Sequence, residues 1–367
     1  MSETLRVVSH DGAIETDAVI VGAGPVGIFQ AFQLGLLEIS SHIVDALPYA
    51  GGQCVELYAD KPIYDIPGVP VYTGRELIAN LLEQVSPFKP HWHLGQLVTN
   101  LQQQPDGRLL LETNSGTRFI TKTLFIAAGV GAFQARMPNI EGLAAHMGKQ
   151  LHLALPLGDA WISRNVLILG DTDSALQAAI DLAKQAQKPK SVTLMHRRNV
   201  FVAEPSTIAA FRALVDSGDI QFVAGQTTSL QESESSLSAL RYLDAEGKEQ
   251  TLPVDELLVL MGLSPKLGPI AHWGLEMERR QLKVNTESYA TDVPAIFAVG
   301  DINTYPGKKK LILCGFHETV LAAFGAATIV YPQKKVLLQY TTTSTRLHSL
   351  LGVDSFAVDK KPEKVTL

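Results

Sequence analysis

The chain has 367 residues, enough for two or three domains that each bury a core. Hydrophobic residues make up 46% and charged residues 19%, which excludes a disordered or fibrous chain, and a net charge of −6 gives no global attraction to nucleic acid or anionic membrane. The two cysteines, Cys54 and Cys314, lie far apart, which excludes a disulfide framework and a cysteine metal cage. With no secretory signal pattern at the N-terminus, a cytoplasmic location is expected, with neither nucleic acid nor membrane as a partner.

The segment TDAVIVGAG (16–24) reads as a strand running into a glycine turn, followed by the apolar helix VGIFQAFQLGLL. SHIVDA (41–46) is the next strand. Strand–helix alternation of this kind argues for an α/β fold, a parallel sheet with helices on its faces. His91-Trp92-His93 sets two histidines two apart with no further ligand nearby, the spacing of a strand or loop. Short β-like runs follow at 95–100, 109–112 and 117–120, separated by Asp-Gly and Ser-Gly turns. TLFIAAG (123–129) is a separate apolar strand.

Near residue 161 the pattern restarts: WISRNVLILG is a strand, DTDSALQAAIDLAKQAQ a helix and SVTLMHRR a strand. The polar run SLQESESSLSAL (229–240) reads as a surface turn. VPAIFAVGD (293–301) is a third strand ending in Gly-Asp, with a helix over 316–330 behind it. The apolar stretch 320–331 is too short to span a bilayer and reads as core. The expected division is 1–145 and 286–345 for a discontinuous first domain, 146–285 for a second, and 346–367 for a lysine-rich tail.

Gly22-x-Gly24-x-x-Gly27 sits between strand and helix. The first glycine permits the tight turn, the second a close approach of backbone to a pyrophosphate, the third close helix–sheet packing. Asp45, at the end of the following strand, is placed to accept from adenosine-ribose hydroxyls. Gly300-Asp301 ends a strand, where a carboxylate can bond a ribityl chain; an N-cap is the plainer alternative. Gly170-Asp171-Thr172-Asp173-Ser174-Ala175 keeps the first and last positions of a second glycine motif. Thr172 replaces its middle glycine and Asp171 adds negative charge, so a purely structural turn stays open. His196-Arg197-Arg198 ends the next strand, where arginines suit the 2′-phosphate of NADP. Cys314 is expected to be a buried small side chain, and Glu318 to favour its helix dipole.

The order of the three motifs resembles the thioredoxin-reductase-like flavoproteins, and specifically the ferredoxin–NADP reductases of that architecture. The resemblance rests on GGQCVELYADKPIYDIPG (51–68), GDINTYPGKKKLILCGFHE (300–318) and YTTTS (340–344). It implies two Rossmann-like three-layer domains, one for FAD and one for NADP, the FAD domain discontinuous. It also implies FAD contacts at Gly22, Gly24, Gly27, Asp45, Gln53, Tyr58, Val98, Phe133, Gly300 and Asp301. A C-terminal segment carrying Tyr340 and Thr342 is implied to reach the flavin of a partner subunit in a homodimer. The NADP contacts are expected at Gly170, Ser174, His196, Arg197 and Arg198, with no side-chain acid, nucleophile or metal required.

A thiol relay needs a second cysteine five residues after Cys54, and Ala59 stands there; no CxxC occurs anywhere. The expected activity is therefore hydride transfer from NADPH to the flavin and one-electron release to ferredoxin or flavodoxin, with Lys308-Lys309-Lys310 a candidate docking run. Two rivals remain: a reductase of a quinone or disulfide, and a non-catalytic FAD-binding protein with an impaired NADPH site.

Overall fold

The structure is a computed structural model and describes residues 12–155, 161–336 and 340–352. The polar N-terminus and the last part of the expected tail lie outside the described residues. The chain forms two compact units, Met1–Phe133 with Pro265–Leu367, and Gln134–Ser264. It crosses between them at 133/134 and 264/265, not at 145/146 and 285/286. Both crossings fall within short strands, Ala132–Ala135 and Leu263–Lys266, that no glycine or proline cluster sets apart in the sequence as a boundary.

In the first unit, parallel strands His91–Leu94, Ser41–Asp45, Ile14–Val21 and Arg118–Ile126 lie side by side in that order. Leu109–Thr113 and Val98–Gln103 continue the sheet antiparallel. Leu109–Glu112 pairs only with the first half of Arg118–Ile126, and Ile296–Ala298 pairs in parallel with its second half. The returning chain thus completes the sheet where the antiparallel meander leaves off, which sets the Gly300-Asp301 turn beside the first glycine turn.

The two faces follow from the two-residue period of a strand. Ala18 and Ile20 face a cluster built with helices Pro25–Leu36, Gly74–Val85 and Ile312–Val330. Val19 and Val21 face the opposite cluster with Leu109, Leu111, Phe119 and Ile270. Each fully buried Ile or Leu side chain here contributes roughly 1.5–3 kcal/mol. Thr73 starts the second of these helices with a reciprocal capping box to Glu76.

Two expectations about this unit are corrected. The runs at 117–120 and 123–129 are one strand, Arg118–Ile126, because Thr121 and Thr123 are buried at their junction and satisfy their hydroxyls on the carbonyls of Thr123 and Asp17. The C-terminal apolar helix begins at Ile312 and has 19 residues, long and apolar enough by composition to cross a membrane. It packs on the first helix through Ala322, Ala323, Ala326 and Ala327, all buried, and carries the buried Glu318.

In the second unit, five parallel strands run in the order Leu151–His152, Glu256–Val259, Asn165–Leu169, Ser191–His196, Gln221–Ala224. Val166, Ile168, Val192 and Leu194 face helices Asp173–Lys184 and Pro205–Asp216. Leu167, Leu169, Leu257 and Val259 face an antiparallel three-stranded sheet. The run at 229–240 belongs to that sheet and is not a turn. It spans strands Gln226–Ser233 and Ser236–Leu243, and only Glu234 and Ser235 turn, with φ of 51° and 64°. Both central residues with positive φ make the tight turn whose twist matches a hairpin.

Candidate functional site: two glycine turns and a cleft

The glycines of the first turn are separated by role. Gly22 has φ of 114°, and a Cβ there would lie 2.4 Å from the carbonyl oxygen of Ala127, just past the end of the neighbouring strand. A Cβ on Gly27 would lie 1.9 Å from the Gly22 oxygen, so this glycine sets the helix against the sheet. Around Gly24 a Cβ would meet nothing within 4 Å, because this residue faces open space. Gly24 is also the N-cap of helix Pro25–Leu36 and offers no side-chain cap; Pro25 has no N–H and Ile28 bonds the Gly24 carbonyl, which leaves the Val26 and Gly27 N–H groups without an intrahelical partner. A helix N-terminus with unpaired N–H groups and its positive dipole end is an anion cradle.

That space belongs to a cleft open to solvent. Gly22, Gly24, Asp45, Gln53, Tyr58, Val98, Phe133, Gly300 and Asp301 all line it; Gly27 stands behind it. Asp45 accepts from the Ala23 N–H at 2.6 Å and the Leu47 N–H at 2.8 Å, tying the glycine turn to the end of its strand. Burial raises its carboxyl above the usual range, and those two N–H groups oppose the rise. Two donors leave lone pairs free for a further partner. At the other end, Gln53 Nε2 donates to Asp301 Oδ2 at 3.2 Å, joining the two halves of the unit. Pro269, Ile270 and Ile312 add apolar wall, a contribution that carried no sequence motif. Open space at Gly24, a glycine cradle and two separate carboxylates, Asp45 and Asp301, fit a dinucleotide laid along the cleft.

Cys54 is fully buried beneath the cleft, and its Sγ donates to the Tyr58 hydroxyl at 3.6 Å. Burial pushes both the Cys54 thiol and the Tyr58 phenol up. A buried, protonated thiol is a poor nucleophile. Cys314 is half-buried on the C-terminal helix rather than buried as expected, because that helix turns its third residue toward its margin.

The buried network behind Gly300-Asp301 escaped the sequence reading. Glu318, fully buried, does not serve the helix dipole. Its Oε2 accepts from the Gly300 N–H at 2.7 Å and from Asn303 Nδ2 at 2.8 Å, and its Oε1 accepts from the Tyr305 hydroxyl at 3.0 Å. Lys308 pairs with Glu318 Oε1 and donates to the Gly300 carbonyl at 2.9 Å. Its side chain is 6% exposed, which removes it from any docking run; Lys309 and Lys310 are exposed.

In the second unit, Gly170 turns with φ of 158°, and a Cβ there would lie 2.3 Å from the Leu260 oxygen. Thr172 caps helix Asp173–Lys184: its hydroxyl faces the Ala175 N–H at 3.4 Å, Ser174 Oγ at 2.9 Å and the Leu260 carbonyl at 2.9 Å. The helix N-terminus here is therefore capped by its own chain, unlike the first. Asp171 faces His196 Nε2 at 3.5 Å, and His196 Nδ1 donates to the Arg198 carbonyl at 2.9 Å. Arg197, Arg198 and Ser174 are exposed beside this turn.

Tyr340 and Thr342 are exposed and do not line the cleft of their own chain. The helix that follows them, Thr345–Leu351, docks through Arg346 on the carbonyl of Gly35 at 3.2 Å, at the end of helix Pro25–Leu36 remote from Gly24.

Residues 16–314 match the pyridine nucleotide-disulphide oxidoreductase family. A ferredoxin–NADP reductase of Polaromonas naphthalenivorans is 56% identical over 351 residues, covering 95% of this chain and 96% of that one. Another, of Albidiferax ferrireducens, is 56% identical and covers 96% of this chain and 99% of that one. Among solved structures, a thioredoxin reductase of Gloeobacter violaceus aligns over 90% of this chain and 99% of its own with a TM-score of 0.57 at 22% identity. A bacillithiol disulfide reductase of Staphylococcus aureus covers 88% of this chain and all of its own at 0.52 and 16%. At such identities these two structures speak for the fold alone, two Rossmann-like domains. With glycine turn, carboxylates and returning strand in place, and relatives alike over nearly their whole length, the chain belongs to the pyridine nucleotide-disulphide oxidoreductases and, within them, to the ferredoxin–NADP reductases.

Proposed function

We propose that the chain is a cytoplasmic FAD enzyme that passes electrons between NADPH and ferredoxin or flavodoxin. The observation that carries this reading is the fate of Cys54: it lies under the cleft, buried and bonded to Tyr58, with no second cysteine to complete a relay. Electrons entering the cleft then have no protein thiol to leave by. The relatives named above carry the same activity in their names. When bound, FAD supplies the conversion between a hydride and single electrons, which no side chain here can perform.

The chain supplies binding, orientation and exclusion of water. The free N–H groups after Gly24 would hold the diphosphate, Asp45 the adenosine ribose, and the backbone near Val98 the adenine edge. Gln53 and Asp301 would fix the ribityl chain, with the Tyr58 ring and Phe133 against the flavin. Gly170 and Ser174 would meet the NADPH diphosphate, and Arg197 and Arg198, with His196 beside them, its 2′-phosphate. Tyr340 and Thr342 are exposed, and the helix after them docks at the remote end of the first helix, so we assign them to the flavin of a second copy in a homodimer.

One second reading has an observation behind it. The self-capped helix at Thr172 and the Asp171 carboxylate favour a flavin protein that uses NADPH poorly. Ferredoxin-dependent reduction of cytochrome c by purified protein and NADPH separates the two. A rate that rises with ferredoxin concentration supports the reductase, and a rate independent of ferredoxin contradicts it.

A further inference from the structure

A carboxylate and an ammonium buried together stabilise a fold weakly, since the cost of taking both from water offsets their attraction. Lys308 and Glu318 are such a pair, 6% and 0% exposed, and both bond one residue of the cleft wall from behind. Lys308 holds the Gly300 carbonyl and Glu318 holds the Gly300 N–H. Gly300 itself has φ of 81° and packs on Val26, which also lines the cleft. The two charges therefore hold the two peptide groups that flank Gly300, the second of which leads into Asp301.

On the reading that the cleft takes FAD, we infer that the Lys308–Glu318 pair is a positioning device that sets the flavin's redox potential as well as the geometry of the Gly300-Asp301 turn. Reduction adds negative charge to the flavin, and a fixed charge in a water-poor wall acts on it with little screening. With both members present their fields nearly cancel. Removing one leaves the other beside the flavin. In Glu318→Gln the ammonium keeps the Gly300 carbonyl and the Tyr305 ring, whose centroid is 5.4 Å away, as partners. In Lys308→Met the carboxylate keeps three donors, Gly300 N–H, Asn303 and Tyr305. A role confined to holding the turn would disturb the potential alike in both variants. A charge role moves it in opposite directions.

The test is the flavin midpoint potential of the full-length holoprotein, by anaerobic equilibration with a reference dye. Wild type, E318Q, K308M and the double variant K308M/E318Q are compared. The expected result is a rise in E318Q, a fall in K308M and a return toward wild type in the double variant. Shifts of the same sign in both single variants, or no shift, overturn the inference. Where a variant is isolated without flavin, oxidised and reduced FAD are titrated into the apoprotein. The ratio of the two dissociation constants must then favour reduced FAD in E318Q and oxidised FAD in K308M, each relative to wild type; unchanged ratios overturn it. A wild-type chain that takes up no FAD overturns the FAD reading itself. Failure of ferredoxin reduction with normal potentials overturns only the choice of acceptor.

Discussion

Asp45 does two things with one carboxylate. It pins the glycine turn through Ala23 and Leu47, and it keeps lone pairs for a ligand hydroxyl. Asp45→Ala strands two backbone N–H groups and removes the ribose acceptor, so FAD affinity should fall at least tenfold, about 1.4 kcal/mol, by fluorescence titration. An unchanged dissociation constant would remove Asp45 from the site. Cys54→Ala makes the converse case. The thiol is buried and pushed up, so ferredoxin reduction should stay within about twofold of wild type, while the melting temperature drops slightly from the lost packing. A loss of turnover with flavin content retained would revive a thiol relay. Residues of this kind were readable from sequence where a fixed local spacing fixes the role: Gly22, Gly24, Gly27 and Asp45 belong to one strand–turn–helix–strand unit. Glu318 and Lys308 were not, because a buried ion pair is created by tertiary packing, and in the sequence one is a helix acid and the other part of a lysine run.

The two glycine turns share a design and differ in chemistry. The first helix has no side-chain cap, while Thr172 caps the second through the Ala175 N–H and Asp171 sets a carboxylate beside it. Asp171→Gly should lower the KM for NADPH several-fold with kcat little changed, since uniform binding is gained and no step in the reaction is touched. A KM that rises would mean that the Asp171–His196 contact organises the NADPH site instead. The strand pair that carries His42, His91 and His93 makes a pH prediction. His42 stacks on His91 at 4.5 Å and contacts His93 at 2.9 Å. Burial, with His91 and His93 beside it, lowers the His42 imidazole to about 4. The folded state thus holds it neutral where the unfolded chain, near 6.5, takes up a proton. Stability is full above pH 6.5 and is lost as pH falls toward 4. Thermal melts should show a steeper fall across that window in wild type than in His42→Phe; parallel curves would refute the assignment. Element boundaries were less legible than elements. The hairpin at 226–243 hides Leu230, Leu237 and Leu240 among exposed Ser and Glu, so its alternation reads as a polar turn. The strand 118–126 hides two threonines that bury their hydroxyls by bonding backbone.

At the scale of the molecule, the sequence order of motifs already implied a chain that leaves the first domain and returns to it. The sheet pairing of Ile296–Ala298 with the second half of Arg118–Ile126 is how that return is built. The exposed Tyr340 and Thr342 lead to a prediction at the same scale. Sedimentation or light scattering should give a mass near twice 39.7 kDa, and truncation before Tyr340 should weaken flavin retention. A monomer that holds FAD equally well with and without this segment would rule the assignment out. The central claim is that hydride enters from NADPH and electrons leave singly to a carrier protein. The most direct measurement is anaerobic stopped-flow absorbance of the purified yellow protein, mixed first with NADPH or NADH and then with ferredoxin, flavodoxin or thioredoxin. The account predicts rapid bleaching by NADPH, slower bleaching by NADH, and return of the oxidised spectrum with ferredoxin or flavodoxin but not with thioredoxin. Bleaching by dithionite alone, or reoxidation by thioredoxin and not by ferredoxin or flavodoxin, would contradict it.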